Sequence, residues 1–263
     1  MNGSNNISIY SILFSSVLVM ISLAFSYFQK LKIEKDIIVS VIRASIQLVI
    51  VGYLLNYIFG HKNVIFTTFL LIFMIANAAY NTSKRGKEIN NVLIIAFIAI
   101  SISTIVTLFI LVFSKVIKYE PYQMIPIGGM IISNSMISLG LSLNQMSSDF
   151  KDKKEEVETK LALGANNFQA SIDIIRNSVK IGMIPTIDSA KTLGIVALPG
   201  MMTGLILAGT SPINAIKYQL IVTFMMLGAT AIVSFIGCYL SYNSFLNVSK
   251  SYTKTIINHF LNP

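Results

Sequence analysis

The chain has 263 residues, 54% of them hydrophobic and only 12% charged, with a formal net charge of +9. A soluble domain carries roughly a quarter charged residues, so this composition excludes a solvated globular surface and calls for an integral membrane protein. The basic residues are scattered over segments between apolar blocks with no compact patch, which argues against a nucleic-acid partner and for membrane topology as the use of the charge.

A helix needs about 20 apolar residues to cross a hydrocarbon core of about 30 Å. Blocks of this kind run from Ile7 to Phe28, Ile37 to Phe59, Val64 to Ser83, Val92 to Phe113, Tyr122 to Met146, Ile184 to Ala208 and Ile213 to Tyr239. They predict an all-α, polytopic membrane protein with about seven transmembrane helices, a single transmembrane domain over residues 1–263. Lys30, Lys32 and Lys35 follow the first block, Lys84, Arg85 and Lys87 the third, and Lys151, Lys153, Lys154, Lys160, Arg176 and Lys180 the fifth. The alternate connections hold only Lys62, Lys115, Lys118 and Lys217. Basic loops stay in the cytoplasm, so the amino terminus is expected outside and the carboxyl terminus inside a cell membrane. The residues before Ile7 are polar and uncharged, unlike the basic start of a removable signal peptide, so the first block is expected to be retained. Cys238 falls in the last block, has no partner cysteine in the chain and reads as a packing residue. With no Trp in the chain, Tyr and Phe must supply any interfacial belt.

The longest polar interval, about residues 148–182, precedes the sixth block. Phe168, Ile172, Ile175 and Val179 recur at helical spacing opposite Gln169, Asp173, Arg176 and Lys180, which predicts an amphipathic helix. Asn166 with Gln169 three residues on forms a capping-box pattern at its start. Glu155, Glu156 and Glu158 begin an earlier short helix, where the macrodipole favours negative charge. The expected shape is helix, sharp turn at Gly164, helix. The plain alternative is a hairpin lying passively on the inner leaflet.

Charges inside apolar spans are costly and mark candidate functional positions. Arg43, with Gln47 one turn on, lies in the second block, although an arginine near a helix end can also snorkel to headgroups. Asp188 and Lys191 share a face in the sixth block; they either neutralise each other or Asp188 pairs with Arg43 as a gate, which charge swapping would test. The sixth block also contains Pro185, Pro199 and several glycines, so it is expected to be interrupted, about 184–208, as transporter helices are at binding sites. Met201 and Met202 follow that break, and Asn134 and Ser135 sit beside Met130 and Met136 in the fifth block. Sulfur, amide and hydroxyl groups make weak, exchangeable ligands suited to a transit path, and Met201 with Met202 is the candidate metal pair. Packing explains methionine and small-residue patterns equally well.

Glu158, Gly164 and Ile174 reproduce the spacing of the cytoplasmic motif of ABC importer permeases, which docks on an ATP-hydrolysing subunit; Thr159, Lys160 and the pair Arg176, Asn177 depart from it. IPIGGMIISNSM at Ile125 to Met136, LALGA at Leu161 to Ala165, RASIQLVIVGYLL at Arg43 to Leu55 and IPTIDSAKTLGIVALPGMMTGLILAG at Ile184 to Gly209 together resemble the FetB-like family of ABC permeases, which is associated with iron export and, in plants, with aluminium tolerance. The resemblance implies a homodimeric permease exporting iron or another metal ion. It also implies a separate ATPase subunit that contacts Glu158, Leu161, Gly164, Ala165, Phe168 and Ile174. The substrate path read from the polar groups and the break within the spans comprises Arg43, Gln47, Asn134, Ser135, Asp188, Lys191, Pro199, Met201 and Met202. The chain has no GxxxxGK[ST] phosphate loop, so ATP-Mg is expected on the partner and no cofactor on this chain.

Two other classes compete. A stand-alone secondary transporter or channel would need intramembrane acids for ion coupling, and only Asp188 is available; transport in liposomes without an ATPase would favour it. An intramembrane enzyme would need an embedded nucleophile with its base or a motif such as HExxH, and the chain has neither, with His61 and His259 in a loop and the tail.

Overall fold

The structure, a computed structural model, describes residues 9–60, 64–86 and 89–261. His61, Lys62 and Lys87 lie outside the described residues, as do the first eight positions and the side chains beyond Leu246, including that of His259. Among the described residues the ordered elements are helices, with one isolated β-bridge between Leu193 and Ala197. Five of the helices contain stretches long and apolar enough to cross a membrane: Glu34–Leu55, Val64–Ser83, Val92–Phe113, Pro121–Asp152 and Pro212–Leu246. The chain divides into two compact units, residues 1–62 and 63–263.

The first unit holds α1 (Ile9–Ser15), α2 (Val17–Phe28) and α3 (Glu34–Gly60). The first predicted span is therefore two helices. The hydroxyls of Ser15 and Ser16 donate back to Ser11 O at 2.8 Å and Leu13 O at 2.6 Å, local bonds that compete with a continuous ladder at the break. Lys30 and Lys32 take left-handed backbone angles between α2 and α3. The buried Ser26 hydroxyl donates to Glu34 Oε1 at 2.8 Å and ties the turn.

The second unit holds α4 (Val64–Ser83), α5 (Val92–Phe113), α6 (Pro121–Asp152), α7 (Lys154–Ala162), α8 (Asn167–Thr192), α9 (Gly200–Leu207) and α10 (Pro212–Leu261). The bounds of α4 and α5 are those read from the sequence. Their outward faces carry Phe66, Phe69, Phe73, Phe97, Ile105 and Phe109, all exposed, which is the arrangement of a surface solvated by hydrocarbon. Inside, α6, α8 and α10 pack on one another, and α4 and α5 close against α6. The seams are lined by small residues: an alanine side chain at position 182 would meet Ser142 Oγ, Ser138 O and Ser234 Oγ, and one at 237 would meet Leu139. Ser138 Oγ bonds Gly182 O at 2.8 Å and Ser234 Oγ at 2.7 Å, and Ser103 Oγ donates to Ala229 O at 2.8 Å. Close backbone approach and interhelical hydroxyl bonds take the place of the hydrophobic drive that lipid cannot supply.

The sixth predicted block, expected to be interrupted, falls across two helices. Ile184 to Ala208 is not one helix: its first part is the end of α8, which runs unbroken from the polar interval through Pro185 to Thr192. A proline removes one amide donor and strains the turn before it, yet the helix continues here. The interruption lies further on. Thr192 O accepts the amides of Ile195 at 3.3 Å and Val196 at 3.0 Å, Gly194 turns the chain with φ of 80°, and Pro199 then opens the short α9.

Candidate transport site

The polar interval folds as helix, turn, helix. α6 overruns its apolar stretch and hands on to α7, which carries Glu155 and Glu156 in its first turn. Gly164, with φ of 94°, provides the left-handed turn that a side chain would strain. Asn166 Oδ1 accepts the Gln169 amide at 2.8 Å while Gln169 Oε1 accepts the Asn166 amide at 2.9 Å, the capping box read from the sequence.

Lys160 clips the two helices together, lying 2.8 Å from Glu156 and 3.1 Å from Asp173. The hydrogen bond it donates to Glu156, then that to Asp173, hold its ammonium above the ordinary lysine value. Reading Lys160 as a departure from a motif missed this role. At the tip, Glu158 is exposed within 3.9 Å of Lys154, Leu161 and Ala165 are half-buried, and Phe168 lies 5.7 Å from the Tyr239 ring. Ile174 is 2% exposed and belongs to the local core with Met146, Phe150 and Val157, so it holds the hairpin together rather than facing a partner. Leu163, passed over in the sequence, is 83% exposed and is the large apolar side chain standing beside the Gly164 turn.

Behind the hairpin, the buried Asp149 carboxylate accepts Gln145 Nε2 at 2.9 Å and Asn177 Nδ2 at 2.7 Å. It fastens α6 to α8. Gln145 stands four residues before Asp149, a helical pairing visible in the sequence, but Asn177 is 28 positions away and could be joined to them only by the fold.

The other end of α8 forms one wall of a cavity of about 230 Å³. Thr186, Ser189 and Ala190 come from α8, Pro199, Gly200 and Met201 from the break and α9, Met130 from α6, and Gln219, Thr223 and Met226 from α10. Three thioethers therefore line one space. Gln219 Oε1 also belongs to it and is inaccessible and without a hydrogen-bond partner. A buried carbonyl left unpaired costs about 1–3 kcal/mol, so a side-chain shift that brought the Gln219 amide oxygen to a donor would be favoured. The described residues contain no group of three or more His, Cys, Asp or Glu placed to hold a metal ion. Any cation here would meet sulfur, amide and hydroxyl oxygen.

The structure brings together Pro199 and Met201 of the sequence candidates, and adds Met130. Met202, half-buried, is not among the lining residues, so the Met201–Met202 pair does not act as a unit there. Asn134 Nδ2 donates to Met130 O at 2.9 Å within α6, the fully buried Ser135 lies 3.3 Å from Ser103 Oγ of α5, and neither is among the residues lining the cavity. Asp188 is exposed and takes Lys191 Nζ at 3.0 Å, the self-neutralising arrangement. Arg43 and Gln47 are exposed on α3 of the first unit. Gln219, Thr223 and Met226 escaped the sequence reading, although a lone amide in the apolar run IKYQLIVTFMM was a usable signal.

Residues 9–246 match the family described as "Uncharacterised protein family (UPF0014)". The chain is 45% identical over 245 residues to the "Probable iron export permease protein FetB" of Escherichia coli (strain K12), covering 93% of this chain and 95% of that one. It is 36% identical over 236 residues to "Protein ALUMINUM SENSITIVE 3" of Arabidopsis thaliana, covering 90% and 86%. It is 40% identical over 240 residues to the "UPF0014 membrane protein YjkA" of Bacillus subtilis (strain 168), covering 91% and 96%. No solved structure matches the chain. With similarity to these relatives over most of its length and a set of apolar helices able to cross a bilayer, the chain is a multi-pass membrane protein that belongs to the UPF0014 family.

Proposed function

We propose that the chain is the membrane-spanning permease subunit of an ABC transporter that exports iron or another metal ion, with ATP-Mg bound and hydrolysed by a separate cytoplasmic subunit. One observation carries the reading: α8 is a single helix whose first turn is the capped hairpin and whose last turns line the cavity. At 1.5 Å per residue, Gly182 lies roughly 24 Å from Asn166 and roughly 6–12 Å from Thr186 to Ala190. At Gly182 α8 lies close against both α6 and α10, so in this reading it serves as a fulcrum. A displacement of the hairpin by a docking ATPase swings the cavity wall in the opposite sense through roughly a quarter to a half of the distance, enough to open or close a space this small.

The hairpin, with Glu158, Leu161, Gly164, Ala165 and Phe168 as expected contacts and Leu163 added by its exposure, faces the cytoplasm in this reading. The amino terminus lies outside and the carboxyl terminus inside. A homodimer is part of the same reading, with the exposed Ile195, Val196, Leu198 and Leu207 around the break as the surface where a second copy would replace lipid. Metal export is supported by the name of the Escherichia coli relative, a probable iron export permease, and by the three methionines that line one cavity.

The test is to co-purify the chain with a candidate ATPase, reconstitute both in proteoliposomes and measure which metal ions stimulate ATP hydrolysis. Stimulation by a metal, lost when the hairpin is altered, is the expected result. Failure to bind any ATPase, or metal flux from the chain alone, overturns it in favour of a stand-alone transporter or channel.

A further inference from the structure

A second pocket, of about 540 Å³, lies between the end of α4 and α6, away from the cavity. Lys84, Arg85 and Lys151 line it together with Asn144 and Ser147, and no Asp or Glu is among its lining residues. Gly140, Asn144, Ser147 and Lys151 follow one another at spacings of four, three and four, so they form one stripe along α6. Gly140 matters because an alanine there would meet Arg85 Cδ at 2.9 Å and Nη1 at 3.1 Å. Its bare backbone lets the arginine side chain lie flat on α6. Among the described residues the Arg85 guanidinium has no hydrogen-bond or ion-pair partner, while the Lys84 ammonium rests 4.5 Å over the Tyr80 ring. An arginine held against a helix, its five donors without an acceptor among the described residues, flanked by two ammonium groups, an amide and a hydroxyl, suits a phosphate oxyanion.

Its depth identifies the source of that phosphate. α4 is an apolar run of 20 residues ending at Ser83, so Lys84 and Arg85 emerge where hydrocarbon gives way to headgroups. A tyrosine supporting the lysine from below belongs to the same level. We propose that this pocket binds the phosphate headgroup of an anionic membrane lipid, with Arg85 as the central contact and Lys84 and Lys151 as flanking cations. Basic pockets between transmembrane helices recognise such headgroups through this combination of charge and donors. The site is independent of the transport reading.

The experiment places the full chain in nanodiscs of mixed phosphatidylcholine and phosphatidylglycerol, extracts it in mild detergent and quantifies retained lipid by mass spectrometry. The wild type is expected to retain phosphatidylglycerol selectively. Arg85→Gln should lower that enrichment about fivefold, the worth of one cation at the membrane surface. Arg85→Lys should lose about half as much on a logarithmic scale, since it keeps the charge and loses the fork. Gly140→Ala, which displaces the arginine without altering charge, should behave like Arg85→Gln. Unfolding midpoints in phosphatidylcholine alone report folding separately. Equal enrichment in the wild type and in folded Arg85→Gln and Arg85→Lys overturns the proposal. So does stabilisation by inorganic phosphate that matches stabilisation by phosphatidylglycerol, which would assign the site to soluble anions.

Discussion

Replacing Gly182 by alanine tests the fulcrum directly. The added methyl group would lie 2.8 Å from the Ser138 carbonyl oxygen and 2.9 Å from Ser234 Oγ, besides meeting Ser142 Oγ. A serine hydroxyl can rotate away, but the Ser138 carbonyl belongs to the α6 backbone, so α8 must move instead. Overpacking of this kind costs about 1–3 kcal/mol. Separating the helices also stretches the bond from Ser138 Oγ to Gly182 O, for about 1 kcal/mol more. Alanine's better helix propensity returns up to about 1 kcal/mol. The net loss is about 1–3 kcal/mol, roughly a 5- to 150-fold fall in the folded-to-unfolded ratio. Gly228→Ala on α10 is the control, because nothing lies within 4 Å of its added methyl, and it should be neutral or slightly stabilising. Both are measured by denaturant unfolding in the same detergent, alongside ATPase stimulation in proteoliposomes. If Gly182→Ala and Gly228→Ala fall within about 0.5 kcal/mol of each other, the close crossing at Gly182 is not a structural constraint and the fulcrum reasoning fails.

Leu163→Ser should leave stability within about 0.5 kcal/mol, because the side chain is already 83% exposed, yet weaken ATPase association about tenfold or more in a pull-down titration. Lys160→Met should loosen the hairpin and speed proteolysis at the Gly164 turn. Because the folded-state value of Lys160 is raised, the stabilisation by its clip is complete below the ordinary lysine value of 10.5 and lost as pH rises through the higher folded value. Wild-type proteolysis at the turn should therefore be flat across the neutral range, rise only in that alkaline window, and increase with salt because the clip is exposed. Gln219→Leu should leave stability unchanged or improved, since it removes an unpaired buried carbonyl, while lowering metal-stimulated ATP hydrolysis about tenfold. A drop in stability with full stimulation would make Gln219 a packing residue.

Composition and length made the membrane class and the limits of α4 and α5 legible, because an apolar run bounded by polar residues has one reading at bilayer thickness. The hairpin was legible for a local reason: the Asn166 capping box and the Gly164 turn act within a few residues. The course of α8 was not. Hydropathy sees Arg176 and Lys180 as loop and Ile195 to Leu198 as span, whereas backbone geometry ends the helix at Thr192, where Gly194 turns left-handed, irrespective of the apolar residues beyond. The cavity was half legible for the opposite reason. Met201 and Pro199 announce themselves beside a break, but Gln219 and Met226 gain meaning only once α10 returns beside α9, a contact no periodicity encodes.

The position of that break decides whether the hairpin can drive the cavity at all. Were α8 interrupted near Lys180, a push on the hairpin would be absorbed in the flexible backbone; interrupted after Thr192, the wall of Thr186, Ser189 and Ala190 moves with it. Such a lever also needs a restraint on its long arm, and Asp149 supplies one by taking Asn177 from α8 and Gln145 from its own helix. Asn177→Leu leaves this 7%-exposed carboxylate with Gln145 alone and should cost about 1.5–3 kcal/mol, the range for a hydrogen bond to a charged group. A general packing defect would do the same, so the exchange Asp149→Asn with Asn177→Asp separates the two explanations. It restores one carboxylate and one amide across the same gap with reversed polarity. If the α6 to α8 bond restrains the lever, the double exchange recovers more than half of both the stability and the ATPase stimulation lost in either single variant, measured as a double-mutant cycle. If its losses equal the sum of the two singles, the bond carries no coupling and restraint of α8 must be sought in the serine seam around Gly182.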